Sequence, residues 1–152
     1  MTINKHEFFM KAALDEAYKA IQSNEVPVGA LLVYKNEIIS RSHNTNISAK
    51  DPTAHAEINV IRDASKKLGN YRLLDTTLFV TLEPCAMCYG AIVHARISKI
   101  IFGARDLKTG FCGSCEDLSK NLCFNHTPNI TGGVLEKDCS LILKKFFKDK
   151  RN

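Results

Sequence analysis

Four residues in this 152-residue chain have types and spacing suited to metal chemistry. His55 and Glu57 lie in Thr53-Ala54-His55-Ala56-Glu57, and Cys85 and Cys88 lie in Pro84-Cys85-Ala86-Met87-Cys88, which begins 27 positions after Glu57. One imidazole and two thiolates supply nitrogen and sulfur ligands of the kind Zn²⁺ takes at about 2.0–2.3 Å, and leave a fourth tetrahedral position for water. That pattern is typical of a catalytic site, because a structural zinc site more often closes all four positions with protein ligands. Glu57, beside the His ligand, then offers a carboxylate for proton transfer. Two thiolates offset the formal charge of Zn²⁺, so the water should be acidified less than at a three-histidine site, and Glu57 has to be a strong proton partner. Each motif alone has a bland reading, as two small buried residues or as an incidental pair at a helix start. Together, in this order and each opening a helix, they favour a metal site.

The surrounding pattern says how those residues are held. Asn4 with Glu7 resembles a capping box, and Phe9, Ala13, Ala17 and Ile21 repeat at helical spacing, which predicts a helix over about residues 5–22. Val28 to Tyr34 and Ile38 to Ser42, joined by Lys35-Asn36-Glu37, read as a β-hairpin. After a polar stretch, Asp51-Pro52-Thr53 marks the start of a helix with Ala54, Ile58, Ile61 and Leu68 on one face, so His55 and Glu57 fall in its first turn. Residues two apart on a helix point about 200° from each other. Only at a helix tip can both reach one site beyond it.

Thr77 to Leu82 reads as a buried strand, and Pro84 suits the first turn of a helix running to about Ala95, with Cys85 and Cys88 in its opening turn. The positive end of that helix stabilises the thiolates a metal requires. Lys99 to Gly103 is a further strand, Ala104 to Cys115 a connection suited to lining a cleft, residues 130–135 a last strand leading to a final helix. This order predicts a three-layer α/β fold around one mixed sheet.

With 24% charged and 45% apolar residues and no Trp, the chain suits a single domain over residues 1–152 with a real core, which excludes a disordered tail or a two-domain enzyme. The net charge of +5 permits nucleic-acid contact without demanding it. No secretory signal is visible at the N-terminus, and the longest uncharged stretch, residues 121–135, falls short of the roughly 18 apolar residues a membrane helix needs. A cytoplasmic protein without membrane association is expected, its six cysteines free or metal-bound. Cys112-Gly113-Ser114-Cys115 is weighed as half of a four-Cys zinc site, but the 23 residues between Cys88 and Cys112 are wide for a zinc ribbon and leave His55 and Glu57 unexplained. Cys123 and Cys139 read as small buried residues. The segment Lys137 to Asn152 carries six basic and two acidic residues around Phe146-Phe147. One Phe is expected in the core, with the basic edge free to neutralise phosphates.

His-x-Glu followed by Pro-Cys-x-x-Cys is the signature of the zinc nucleobase deaminases. Beyond it, Glu25 to Ala30, Asp51 to Glu57, Asn70 to Leu73 and Phe102 to Gly110 resemble the bacterial tRNA-specific adenosine deaminase family, of the cytidine/deoxycytidylate deaminase-like superfamily. The likeness is strongest from about residue 25 to 110 and weakest from 116 to 128 and in the tail. It implies an α/β/α fold with a central mixed five-stranded sheet, and one Zn²⁺ per subunit on His55, Cys85 and Cys88. It implies Glu57 as the catalytic proton carrier and conversion of adenosine to inosine at the wobble position of a tRNA anticodon stem-loop. Asn44, Asp106, Val28 and Ala56 would contact substrate, and Lys108, Phe147, Lys148 and Arg151 the RNA. An Asn amide offers both donor and acceptor to a base edge, although it also often closes a turn. Asp106 would accept from a ribose 2′-hydroxyl, its bland alternative being a solvated carboxylate beside Arg105 and Lys108. The resemblance also implies a homodimer whose two subunits both reach the RNA, with Tyr89-Gly90-Ala91-Ile92-Val93 a candidate part of the dimer surface. Two other readings stay open: a free-base or nucleotide deaminase on the same scaffold, and a non-catalytic zinc RNA-binding module.

Overall fold

The computed structural model describes residues 4–121 and 123–151. The Asn4 side chain caps α1 (Lys5–Gln22) by accepting from the His6 and Glu7 N–H groups at 2.9 and 3.4 Å. β1 (Gly29–Tyr34) and β2 (Glu37–His43) pair antiparallel across Lys35 and Asn36, both at positive φ as a tight hairpin turn requires. β3 (Thr76–Leu82), β4 (Lys99–Ala104) and β5 (Asn129–Thr131) complete a five-stranded sheet in the order β2-β1-β3-β4-β5. The β2-β1-β3 pairings are antiparallel and the β3-β4-β5 pairings parallel, which makes the sheet mixed, as expected.

Strand periodicity divides the core in two. Ala30, Leu32, Leu78, Val80, Ile100 and Phe102 face α3 (Ala56–Leu68) and α4 (Ala86–Ala95). The alternate residues Leu31, Val33, Phe79 and Ile101 face α1 and α5 (Glu136–Arg151). Both sheet faces are covered, so the central strands read as unbroken apolar runs. Gly29 and Gly103 set how close the second layer lies: a Cβ would stand 2.0 Å from the Ala13 carbonyl oxygen at Gly29 and 2.3 Å from Cys139 Sγ at Gly103.

Several expectations need correction. The polar stretch after β2 contains a short helix, α2 (Asn46–Ala49). Pro84 precedes the cap residue Cys85 instead of entering the first turn of α4. β5 ends at Thr131 because Gly132 packs onto the Phe102 ring, where a Cβ would lie 2.3 Å away, and Gly133 turns at positive φ. Residues Leu118–Lys120 form a 3₁₀ turn capped by Asp117, and Phe124 meets Tyr89 edge to face. Cys139 is buried as expected but Cys123 is exposed, since it sits in the turn beyond that 3₁₀ segment. Tyr89, Ile92 and Val93 are already spent on the chain's own core, so the outward face of α4 is Met87, Gly90, Ala91 and His94 instead. No described helix is long and apolar enough to cross a membrane.

The topology brings the chemistry-bearing residues to one edge. β2, β3 and β4 run parallel to one another, so their C-terminal ends share a sheet edge. α3 and α4 both start from that edge.

Candidate active site

His55 and Cys85 are the N-cap residues of α3 and α4, each in extended backbone, and Cys88 follows one turn into α4. Neither side chain makes a capping hydrogen bond to its helix, and both converge on one point. His55 Nδ1 lies 3.7 Å from Cys85 Sγ and 3.4 Å from Cys88 Sγ. A tetrahedral Zn²⁺ with Zn–N and Zn–S lengths of roughly 2.05 and 2.3 Å demands an N···S separation of about 3.6 Å. The trio therefore fits the ion, and it is the one His/Cys/Asp/Glu cluster of metal-binding dimensions among the described residues. Cys112, buried, and Cys115, exposed, are not part of it, which removes the four-Cys reading.

The electrostatics agree with the geometry. The Cys85 thiol is pulled down to about 4, first by its hydrogen bond with Cys88 and then by His55, against the effect of burial. Cys88 is pushed up by Cys85 and by burial, so the pair shares its negative charge through Cys85. His55 is held protonated more readily by Cys85, with burial opposing and Glu57 assisting. A divalent cation among such ligands favours the deprotonated sulfurs. Glu57, in the first turn of α3, is only 4% exposed, and burial pushes its carboxyl up to about 7. A carboxyl at that value exchanges a proton readily near neutrality.

His55, Glu57 and Cys85 form the floor of a cleft of about 770 Å³, with Cys88 buried beneath them. Asn44, just past β2, is buried at its edge, and its Oδ1 accepts from the Ala56 N–H at 2.8 Å. Because an N–H must meet the amide oxygen, the Asn44 Nδ2 is turned outward, and among the described residues it makes no hydrogen bond. The Ala56 bond takes one of the two acceptor positions on Oδ1, so the amide keeps an acceptor position as well as its donors. Asn59 in α3 ties down both neighbours of Asn44, donating to the His43 carbonyl at 2.9 Å and to Thr45 Oγ1 at 3.0 Å. Val28 lines the cleft, and its carbonyl accepts from Asn44 N–H.

Two buried carboxylates that sequence reasoning missed hold the walls. Glu25 accepts from the Ile47 and Ser48 N–H groups at 3.0 and 2.8 Å, pinning α2. Burial works to raise its carboxyl, but those hydrogen bonds prevail and hold it below the ordinary range. Glu83 accepts from Asp106, Cys112 and Ser114 N–H groups at 3.2, 3.0 and 3.1 Å, and from the Ser114 hydroxyl.

Asp106 and Lys108 lie on the wall so held. The Asp106 carboxylate accepts from Lys108 N–H, Thr109 N–H and Thr109 Oγ1–H, at 3.0, 3.0 and 2.7 Å. Of roughly four acceptor positions on a carboxylate, three serve its own turn. α5 closes the rim with Ser140, Leu143, Lys144, Phe147 and Arg151, a stripe at helical spacing. Phe147 is 44% exposed there and Phe146 half-buried, so neither ring is fully in the core. Lys148 lies outside the cleft lining, about 100° round the helix from Phe147. Lys144 lies in the lining.

Residues 3–104 match the family described as the cytidine and deoxycytidylate deaminase zinc-binding region. The chain is 46% identical over 149 residues to the tRNA-specific adenosine deaminase of Bacillus subtilis (strain 168), covering 98% of this chain and 92% of the relative. It is 49% identical over 146 residues to the enzyme of the same name from Haemophilus influenzae, covering 95% and 84%. A solved structure from a study of A-to-I editing by tRNA:A34 deaminases at the wobble position has a TM-score of 0.86 and 44% identity, over 90% of this chain and 99% of that one.

Proposed function

This chain belongs to the tRNA-specific adenosine deaminase family of zinc-binding deaminases, and from that premise we propose that it hydrolyses adenosine to inosine at the wobble position of a tRNA anticodon. One juxtaposition carries the reading. The buried Glu57 carboxyl stands beside the His55, Cys85 and Cys88 cluster, at the floor of a cleft whose rim presents Lys144, Phe147 and Arg151.

His55, Cys85 and Cys88 would hold Zn²⁺, which would supply Lewis-acid activation of water. Glu57 takes a proton from the attacking water and delivers it to purine N1, then moves the proton of the new C6 hydroxyl to the departing amine as the carbonyl forms. Oxygen from water bonds to C6 as the C6–N6 bond breaks, so adenosine and water give inosine and ammonia. The Asn44 Nδ2 donates to an acceptor on the nucleoside and holds it over the floor. Val28 and the Ala56 backbone shape that pocket. Asp106 spends its remaining acceptor position on a ribose hydroxyl, and Lys108, Lys144 and Arg151 face phosphates. Phe147 offers its exposed ring to an unstacked loop base. An anticodon loop already exposes its bases, which removes much of the unstacking cost a duplex would impose.

The working form is a homodimer in the cytoplasm, joined through the outward face of α4 around Met87, Gly90, Ala91 and His94. Light scattering at micromolar concentration should return twice the chain mass, and a monomer would discard that part. The function is tested by incubating purified protein with tRNA and sequencing the anticodon, where inosine reads as guanosine. Ammonia release from free adenine, guanine and cytosine runs in parallel. Activity confined to free bases would replace the tRNA reading with the free-base one. RNA binding without turnover on any substrate would favour the non-catalytic module.

A further inference from the structure

We infer that Glu83 is a positioning residue for substrate binding: it holds the wall formed by Arg105 to Thr109 at the distance from the metal floor that an RNA substrate needs. The inference deepens the tRNA deaminase reading and rests on it.

Glu83 directly follows the last residue of β3, Leu82, and precedes the Pro84-Cys85 step, and it is buried. A buried carboxylate is normally paired with a cation or saturated with donors. Among the described residues no Lys, Arg or His side chain lies within ion-pair distance of Glu83, and all four of its donors come from one segment. Asp106 N–H and the Ser114 hydroxyl meet Oε1, while Cys112 and Ser114 N–H groups meet Oε2. The chain from 106 to 114 is thus wrapped around one carboxylate.

Neighbouring hydrogen bonds tighten the same wrap. The Glu83 N–H donates to the Ala104 carbonyl at 2.9 Å, and the Phe111 N–H to the Pro84 carbonyl at 2.9 Å. Gly110 leaves room for the carboxylate: a Cβ there would lie 2.5 Å from Glu83 Cδ and Oε2. At one end of the wall Arg105 also pairs with Glu136 at 3.7 Å and lies over the Phe102 ring, but the stretch beyond Asp106 has no such side-chain support. Leu107, Lys108 and Thr109 are exposed, and the Asp106 carboxylate bonds only within the turn. With four donors and no acceptor demand, the site suits a carboxylate and not an amide, whose NH₂ would face N–H groups.

The test uses Glu83→Gln and Gly110→Ala in the full-length protein, with zinc content, thermal midpoint, KM and kcat for tRNA measured together. Loosening groups that bind ground state and transition state alike raises KM and spares kcat. Glu83→Gln should raise KM about tenfold with kcat within about threefold and zinc content unchanged. Gly110→Ala, which displaces the loop from its other side, should give the same split, and it decides the matter if Glu83→Gln does not fold. A KM within twofold of wild type in both variants overturns the positioning role, as does a fall in kcat at unchanged KM or a loss of zinc, which would place Glu83 in the metal centre. A wild-type protein that forms no inosine on tRNA overturns the functional reading itself, and this inference with it.

Discussion

The floor and the rim of the cleft are built in opposite ways. The floor is made of helix caps and first turns, His55, Glu57, Cys85 and Cys88, brought together at one sheet edge. The rim is made of a loop and one face of a terminal helix, its side chains largely exposed and its loop held through backbone hydrogen bonds to Glu83. Rigid elements set atoms that must meet a reacting centre, whereas loops tolerate variation and suit recognition of a larger partner. Changes to the floor should therefore act on turnover, and changes to the rim on binding.

Glu57→Ala gives the largest expected effect, a fall in kcat of roughly 10²–10⁴-fold with zinc content retained, because general acid–base transfer is worth about that much. Metal analysis beside single-turnover kinetics checks it, and turnover near the wild-type rate would remove Glu57 from the mechanism. Asn44→Asp comes next. The substituted carboxylate still accepts from Ala56 N–H but turns an acceptor toward the nucleoside, so kcat/KM should drop roughly ten- to hundredfold. An unchanged value would mean that the outward Nδ2 touches no substrate atom.

Rim changes are smaller and of a different kind. Lys144→Ala with Arg151→Ala should raise KM for tRNA several-fold at unchanged kcat, and flatten the log–log salt dependence by about 0.7 for each phosphate no longer neutralised. A wild-type salt slope would remove both residues from the RNA surface, and the slope of Lys148→Ala decides in the same way whether Lys148, outside the cleft lining, meets RNA. The smallest effect lies behind the floor, at Glu16. This buried carboxylate accepts from Lys19, Arg41 and His43 at 2.7, 2.9 and 3.3 Å. Burial opposes its ionisation but the three partners prevail, so its carboxyl sits below the ordinary 4.5. A depressed carboxyl stabilises the fold above its unfolded value and loses that contribution as pH falls through its folded one. The thermal midpoint of wild type should decline from about pH 4.5 downward, and Glu16→Gln should be less stable at neutral pH with a shallower decline. Parallel profiles would contradict the assignment.

The two regions also differ in how well they can be read from residue order. The ligands of the floor were legible because each belongs to a local motif, and because strand-then-helix patterning put both motifs at helix starts. The order of helices and strands likewise carried the three layers, and the structure buries Leu31, Leu32 and Val33, like Leu78, Phe79 and Val80, on alternate faces. Glu25 and Glu83 were not legible, since their partners are backbone N–H groups 22 to 31 positions away, which have no signature in residue type. Counting charges in the tail found its basic character but could not orient the helix, and a one-residue step moves a lysine off the cleft. Close packing defeated the rest: β5 stops where Gly132 meets the Phe102 ring, and Cys123 is exposed by a turn that composition does not reveal.

The central claim is that hydrolysis of an anticodon adenosine depends on zinc held by His55, Cys85 and Cys88. Mass spectrometry of nucleosides from tRNA incubated with chelator-stripped and zinc-restored protein tests it most directly, with metal content measured on the same samples. Inosine should vanish on stripping and return as zinc approaches about one ion per chain. Full inosine formation by protein stripped of zinc would contradict the account.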